Sequence, residues 1–92
     1  MALLDEDTIR TRLDGLEGWE RAGEAIRKRF KLDGFVGSVE FVDRLVAPAE
    51  EMGHHPDLEI SWNRVTVTLS THSEGGLTEA DFELARRIDE LA

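Results

Sequence analysis

Hydrophobic residues recur with the period of a helix in some stretches of the chain and with the period of a strand in others. The first stretch, residues 5–13, has Ile9 and Leu13 at helical spacing and begins at Asp5, a residue type that caps helix amino termini. In residues 25–32 the apolar side chains instead alternate with arginine and lysine. The pattern therefore predicts a short helix followed by a strand with one solvent-exposed face. This strand is expected to form a hairpin with the short segment before it.

Residues 34–52 return to the helical period and predict one long helix. Its expected core-facing stripe consists of Phe35, Val39, Val42, Leu45, Val46, Ala49 and Met52. Gly53 stands where this helix should end. Pro56 restricts the residue before it to an extended conformation, so we do not expect the helix to continue through the histidine pair.

Apolar and polar residues alternate again in residues 58–62 and 65–70. This pattern predicts a second hairpin, with Asn63-Arg64 as its turn. The last helix is expected to begin at Thr78. Asp81 lies three residues later, so the two side chains can form a short version of the capping box.

The predicted element order is α-β-β-α-β-β-α, which is typical of an α+β protein. We expect a single domain over residues 1–92, with a four-stranded antiparallel sheet and three helices packed on one face. The opposite face and any unpaired edge strand are candidates for self-association, since exposed strand edges tend to be covered.

Composition narrows the classes of protein that fit. Of 92 residues, 40% are hydrophobic and 34% charged, and no apolar run approaches the ~20 residues of a membrane span. The chain begins without the basic and apolar regions of a secretory signal, and the absence of cysteine is compatible with a reducing cytoplasm. A net charge of −9 argues against nucleic acid as the main partner, despite a basic cluster at residues 27–31.

The candidate chemistry lies in the three histidines, His54, His55 and His72, which follow the ends of predicted elements. The negative end of the long helix and Glu50, one turn earlier, would both favour a protonated His54, which makes it a candidate proton donor. Three interpretations stay open on spacing alone: loop histidines bonded to backbone, a metal site with Glu50, or an acid–base site without a named substrate.

The motif around these histidines resembles a known signature. Glu50, His54-His55-Pro56, Trp62, His72 and Asp81 are separated by three, five, nine and eight residues, as in the pterin-4a-carbinolamine dehydratases. Residues 53–57 look like that family's Asp-His-His-Pro-Glu, and residues 63–72 look like its Asn-Lys-Val-His-Ile-Thr-Leu-Ser-Thr-His. The likeness extends over residues 13–91.

The resemblance implies an enzyme that dehydrates 4a-hydroxytetrahydropterin to quinonoid dihydropterin. This reaction recycles the tetrahydropterin cofactor of aromatic amino acid hydroxylases in the cytoplasm. It also implies that no metal or organic cofactor is used, that the fold is the one derived above, and that the chain forms homodimers or homotetramers. A non-catalytic pterin-binding module and a protein-partner module of the coactivator type are the alternatives within the same family.

By this resemblance, His54 and His72 are the acid–base groups flanking the pterin ring, with His55 assisting. The residues expected to bind substrate are Glu50, Gly53, Trp62, Ser70, Thr71, Ser73 and Asp81. Glu50 is expected to orient His54 or to remain a solvated carboxylate, and Trp62 to pack beside the ring or in the hairpin core. Two departures stand out: animal members carry an acid in place of Gly53 and a basic residue in place of Ala80.

Overall fold

A computed structural model describes residues 2–92; Met1, the first residue of the amino-terminal segment considered above, lies outside them. The elements along the chain are α1 (Glu6–Asp14), β1 (Glu20–Ala22), β2 (Ala25–Lys31), α2 (Gly34–Met52), β3 (Asp57–Ser61), β4 (Arg64–Leu69), a 3-10 turn (His72–Glu74) and α3 (Glu79–Asp89). The predicted α-β-β-α-β-β-α order and α+β class are confirmed. None of the helices in residues 2–92 is both long and apolar enough to span a membrane.

The four strands form one antiparallel sheet in the order β1-β2-β4-β3. Ile26 lies opposite Leu69, and Phe30 opposite Val65, and all four side chains are buried under the helices. The cations that alternate with them in β2 point to the other, uncovered face. The prediction of one wet face is confirmed, and β1 and β3 are left as the edges of the sheet.

The core-facing stripe predicted for α2 is only partly correct. Leu45 and Ala49 are buried as expected, but the buried face of the helix also contains Ser38, Phe41 and Pro48. Three residues of the predicted stripe, Phe35, Val39 and Val46, are exposed, as is the neighbouring Val36. The helix therefore has two apolar faces, and the side-chain period cannot tell which of them meets the core.

Ser38 occupies a core position because its hydroxyl is fully hydrogen-bonded there. Its Oγ lies 3.0 Å from the carbonyl oxygen of Gly34 and 2.6 Å from that of Trp62, and the single hydroxyl hydrogen donates between these two acceptors. The second contact ties α2 to the β3–β4 hairpin. The turn of this hairpin is Trp62-Asn63, one residue earlier than the Asn63-Arg64 predicted, and Trp62 has a φ of 53°.

One lysine lies on the core side of the sheet. The Lys28 ammonium donates to Asp89 at 2.9 Å and to the carbonyl of Glu17 at 2.9 Å, and it lies 4.8 Å from the centre of the Phe30 ring. The Trp19 indole N–H also donates to Asp89, at 3.1 Å. These contacts join the first hairpin to the last turn of α3.

The amino-terminal cap of α1 is formed as predicted. The Asp5 carboxylate accepts from the backbone N–H of Thr8 at 2.8 Å. This hydrogen bond to the backbone holds the pKa of Asp5 below its ordinary 3.8, because it stabilises the ionised form.

Candidate active site

The carboxyl end of α2 sets the direction of the histidine pair. Gly53 adopts the left-handed conformation (φ 59°, ψ 33°), and its N–H donates to the carbonyl of Glu50. The next N–H, that of His54, reaches back to the carbonyl of Ala49 at 3.0 Å, which completes a Schellman-type cap. The role of Gly53 is thus conformational: it turns the chain so that His54 leaves the helix axis and approaches α3.

His54 contacts the buried carboxylate of Asp81. The His54 Nε2 and Asp81 Oδ1 are 2.6 Å apart, and the side chain of Asp81 is fully buried while that of His54 is 13% exposed. The other oxygen of Asp81 accepts from the Thr71 hydroxyl at 2.9 Å and from the backbone N–H of Thr78 at 2.9 Å. Asp81 therefore completes the predicted capping box of α3 and holds His54 at the same time.

These contacts define the hydrogen position on His54. A carboxylate that accepts from a hydroxyl and from a backbone N–H is an acceptor toward the imidazole as well, so Nε2 carries the hydrogen. Nδ1 of a neutral His54 then keeps its lone pair. This arrangement resembles the carboxylate–imidazole pairs that orient a general base in other enzymes.

The expectation that Glu50 orients His54 is wrong. The Glu50 carboxylate lies 2.5 Å from Nε2 of His55, and both side chains are largely exposed. Adjacent residues of an extended segment point in opposite directions, so the left-handed turn at Gly53 sends His54 toward Asp81 and His55 back toward α2. The two histidines have separate carboxylate partners.

His72 lies on the 3-10 turn that follows β4, directly after the buried Thr71. Its side chain is 77% exposed, and Nε2 lies 3.8 Å from the carboxylate of Asp57. The segment that carries the histidine pair and the segment that carries His72 are therefore neighbours, linked by Asp57 on one side and by the Asp81–Thr71 contact on the other.

A groove of about 210 Å³ lies between α2 and β3. His55, Glu50 and Pro56 line one part of it, and the remaining wall is apolar, with Val46 and Leu58 among its residues. Apolar walls with a few polar groups are typical of sites that bind small organic molecules. His54 and His72 are not among the residues that line this groove.

The other predicted binding residues lie at different distances from the histidines. Ser70 is at the end of β4, where its hydroxyl donates to the carbonyl of Glu24 at 2.7 Å, and Ser73 is exposed on the 3-10 turn. Trp62 lies at the far end of the five-residue strand β3, about 17 Å along the chain from the histidine pair. It is 68% exposed and is not part of the hairpin core.

Two residues of this region were missed by sequence reasoning as site residues. Asp57, beside His72, directly follows the His-His-Pro motif, so an acid at that position was the available signal. Thr78 was predicted only as a helix cap, yet its hydroxyl also lies 2.8 Å from that of Thr71. Within residues 2–92, no three His, Asp or Glu side chains are grouped so as to hold a metal ion.

Comparison with known proteins identifies the family. The statistical model of the family described as pterin 4 alpha carbinolamine dehydratase matches residues 2–91. A relative from Thermosynechococcus vestitus is 52% identical over 91% of this chain and 88% of its own length. Another from Sulfolobus acidocaldarius is 51% identical over 96% of this chain and 97% of its own. Both carry the provisional name pterin-4-alpha-carbinolamine dehydratase.

Two solved structures share the fold. A protein from Brucella melitensis, described as a transcriptional coactivator/pterin dehydratase, superimposes with a TM-score of 0.92 at 38% identity, over 97% of each chain. A pterin dehydratase-like protein, described as a RuBisCO assembly factor in the alpha-carboxysome, superimposes with a TM-score of 0.70 at 32% identity, over 83% of this chain and 90% of its own. From the full-length family match and these relatives, the chain belongs to the pterin 4 alpha carbinolamine dehydratase family.

Proposed function

We propose that this chain dehydrates 4a-hydroxytetrahydropterin to quinonoid dihydropterin and water by histidine acid–base catalysis. The observation that carries this proposal is the contact between His54 and the buried Asp81, which leaves one imidazole nitrogen free beside the segment of His72. Family membership supplies the substrate class. In this role the chain would recycle the tetrahydropterin cofactor of aromatic amino acid hydroxylases, in the cytoplasm.

The reaction needs one acid and one base. The bond between C4a and its hydroxyl breaks, and a protonated group gives its proton to the leaving oxygen so that water departs. The proton on N5 goes to a base, and the electron pair of the N5–H bond forms the N5–C4a double bond. Nothing is oxidised or reduced, so two imidazoles in opposite protonation states suffice.

The surroundings of His54 favour the role of base. Asp81 accepts from Nε2, so Nδ1 can accept the N5 proton, and the imidazolium that forms is stabilised by the adjacent carboxylate. His72, whose Nε2 lies 3.8 Å from the carboxylate of Asp57, would then protonate the leaving hydroxyl. His55, held by Glu50, would assist at the edge of the site.

The remaining predicted residues would bind the pterin. The segment after β4, which contains Ser70, Thr71 and Ser73, offers hydroxyl and backbone groups to the polar edge of the pterin. Glu50 lies at the groove beside His55. Gly53 contributes by shaping the backbone, and Asp81 by holding His54.

A coupled dehydration assay with freshly prepared carbinolamine tests the proposal. We expect turnover by the wild-type chain and a loss of at least about 100-fold in His54→Ala and His72→Ala, the size typical of a general acid or base. His55→Ala should lose less. Glu74→Gln, an exposed substitution on the same 3-10 turn as His72, is the matched control. Unchanged turnover in either of the first two variants would refute the role of that histidine.

A second candidate function is favoured by the exposed face of α2. Phe35, Val36, Val39 and Val46 form an apolar surface of the kind that marks protein interaction sites. Relatives described as a coactivator and as an assembly factor are consistent with a partner-binding role. We propose homo-oligomers as the first occupant of this surface. Wild-type protein without dehydratase activity that still binds pterin, or still self-associates, would favour this alternative.

A further inference from the structure

A short segment before α1 packs against the turn that carries His72. The backbone N–H of Leu4 donates to the carbonyl of Leu77 at 2.9 Å, and the side chain of Leu3 lies over Gly76. Gly76 and Leu77 are buried, whereas Leu3 is 53% exposed. We call Leu3–Leu4 the amino-terminal strap and residues 72–75 the His72 loop.

The His72 loop is closed by a bridge between the residues that flank it. The N–H of Thr71 donates to the carbonyl of Gly76 at 2.9 Å, while the return contact, from the N–H of Gly76 to the carbonyl of Thr71, is longer at 3.4 Å. That carbonyl also accepts from the N–H groups of Glu74 and Gly75, each at 3.0 Å. A carbonyl oxygen has two lone pairs, so the N–H of Gly76 adds little to the closure.

The two ends of the loop are held by different means. On one side the Thr71 hydroxyl contacts Asp81 and Thr78 in the buried network described above. On the other side Leu77 inserts its side chain into the core, and the strap holds Gly76 and the carbonyl of Leu77 from outside. The strap is therefore the more exposed of the two supports.

The ring of His72 has no contact that fixes its position by itself. Its side chain is 77% exposed, and the charged group paired with it, Asp57, lies 3.8 Å from Nε2, beyond hydrogen-bond distance. The position of the imidazole therefore follows the backbone of the loop. His54 differs, because the buried Asp81 holds its ring directly.

We propose that the amino-terminal strap positions His72 for catalysis by holding the chain at Gly76 and Leu77. Leu3 and Leu4 are positioning residues in this role, because they act through the loop and not on the pterin. A displacement of about 1 Å in a catalytic group can cost about 100-fold in rate, so the strap matters even where the fold survives without it. The task assigned to His72 rests on the proposed function above; the packing of the strap on the loop does not.

Gly76 offers a test of the contact that leaves the backbone conformation unchanged. Unlike Gly75, at φ 77°, it lies outside the left-handed region, so alanine is compatible with its backbone. A β-carbon on Gly76 would lie 3.1 Å from Cδ2 of Leu3 and, apart from its chain neighbours, would meet no other atom of residues 2–92 within 4 Å. Gly76→Ala should therefore act by displacing Leu3.

Amide hydrogen exchange followed by NMR measures this displacement without any substrate. We expect the Leu4 and Gly76 amides to exchange at least about fivefold faster in Leu3→Ala and in Gly76→Ala. In the Leu3→Ala chain, Gly76→Ala should add no further change. The amide of Thr78, which donates to Asp81, is the internal control and should keep its wild-type rate. Equal effects of Gly76→Ala with and without Leu3, or wild-type exchange in both single variants, would overturn the contact.

Turnover of carbinolamine tests the positioning role. Leu3→Ala should lower kcat at least about fivefold while circular dichroism reports an intact fold, and Leu3→Met, which keeps the apolar reach, should restore most of the loss. Leu91→Ala is the matched control: it truncates a half-buried leucine beyond the carboxyl end of α3, about 16 Å from the amino end of that helix. It should lower stability and leave kcat unchanged. Wild-type kcat in Leu3→Ala, or an equal loss in Leu91→Ala, would overturn the role.

Coupling to His72 separates positioning from any other effect of the strap. In a His72→Ala chain the group to be positioned is gone, so Leu3→Ala should cost no further turnover, whereas in a His55→Ala chain it should cost the full factor. The same cost in both backgrounds would overturn the proposal. If the wild-type protein fails to dehydrate the carbinolamine, the proposed function fails, and the exchange measurements still decide whether the strap holds the loop.

Discussion

Two histidine–carboxylate pairs follow the same helix end, and their surroundings make them different. In the pair of Asp81 and His54 the carboxylate is fully buried and accepts two further hydrogen bonds. In the pair of Glu50 and His55 the side chains are 67% and 64% exposed, and among residues 2–92 neither has another hydrogen-bond partner. The distances are nearly equal, 2.6 and 2.5 Å. Distance alone therefore does not distinguish a structural anchor from a surface ion pair.

The comparison shows which pair can orient a reactive group. A buried carboxylate whose other oxygen is held by Thr71 and Thr78 cannot rotate without breaking several hydrogen bonds, so His54 has one orientation. Water competes for every polar atom of the Glu50–His55 pair, and both long side chains lose entropy when they meet. Four substitutions test this difference, beginning with the one expected to have the largest effect.

Asp81→Asn removes the charge from the centre of the buried network. We expect the free energy of unfolding to fall by ~2–4 kcal/mol, because an amide has one acceptor oxygen in place of two and leaves a buried donor unsatisfied. Turnover of carbinolamine should fall at least about tenfold at temperatures where the variant is folded. Urea unfolding and the dehydration assay measure the two effects.

Asp43→Asn, an exposed acid-to-amide change on α2, is the control for Asp81→Asn. It should leave both quantities unchanged. Wild-type turnover in a folded Asp81→Asn chain would contradict an orienting role for this carboxylate.

Thr71→Val keeps the shape of the buried side chain and deletes its hydroxyl. That hydroxyl contacts both Asp81 and Thr78, so we expect a loss of ~1–2 kcal/mol in urea unfolding. Thr68→Val, three residues earlier in β4 and on the uncovered face of the sheet, should change stability far less. Equal effects at the two positions would show that the network contributes little.

Glu50→Gln breaks the exposed pair. We expect the free energy of unfolding to change by ~0–0.5 kcal/mol, the usual range of surface ion pairs, and any effect to vanish in high salt. A loss as large as that of Asp81→Asn would mean that the Glu50–His55 pair is buried in the working protein, as it would be if a second copy covered the groove.

Asp5→Asn tests a carboxylate that caps a helix as Asp81 does but is exposed to solvent. The pKa of Asp5 is lowered mainly by the backbone hydrogen bond from Thr8, so its contribution to stability is present above pH 3.8 and is lost as the pH falls through the lowered value. Wild-type protein should be slightly more stable than the variant at neutral pH, and this small difference should disappear in acid. Melting temperatures across that range provide the measurement.

Much of the fold was predictable from periodicity, but the choice of buried face on α2 was not. Gly34–Met52 was predicted with the correct ends, since Asp33-Gly34 and Gly53 punctuate it. Phe35, Val39 and Val46 were placed in the core because they share the helical period with Ala49. Only packing against the sheet shows that Ser38 and Phe41 take that side, the serine made acceptable by a carbonyl from a distant turn.

The site was predictable in its residue types and not in its pairings. The resemblance to the family implied that His54, Asp81 and Thr71 belong to one site, and the structure connects all three. His54 has Asp81 as its partner instead of Glu50 because Gly53 adopts the left-handed conformation. The direction that this turn gives to the following side chains cannot be derived from the sequence. The position of Trp62, one strand length from the histidines, was likewise outside the reach of spacing.

The Lys28–Asp89–Trp19 cluster has a consequence for how the molecule opens. It fastens residues near the two ends of the chain through one ammonium and one carboxylate on the covered side of the sheet. The last turn of α3 can therefore fray only when the β1–β2 hairpin also loosens. Amide hydrogens in both segments should exchange with solvent in a single cooperative step.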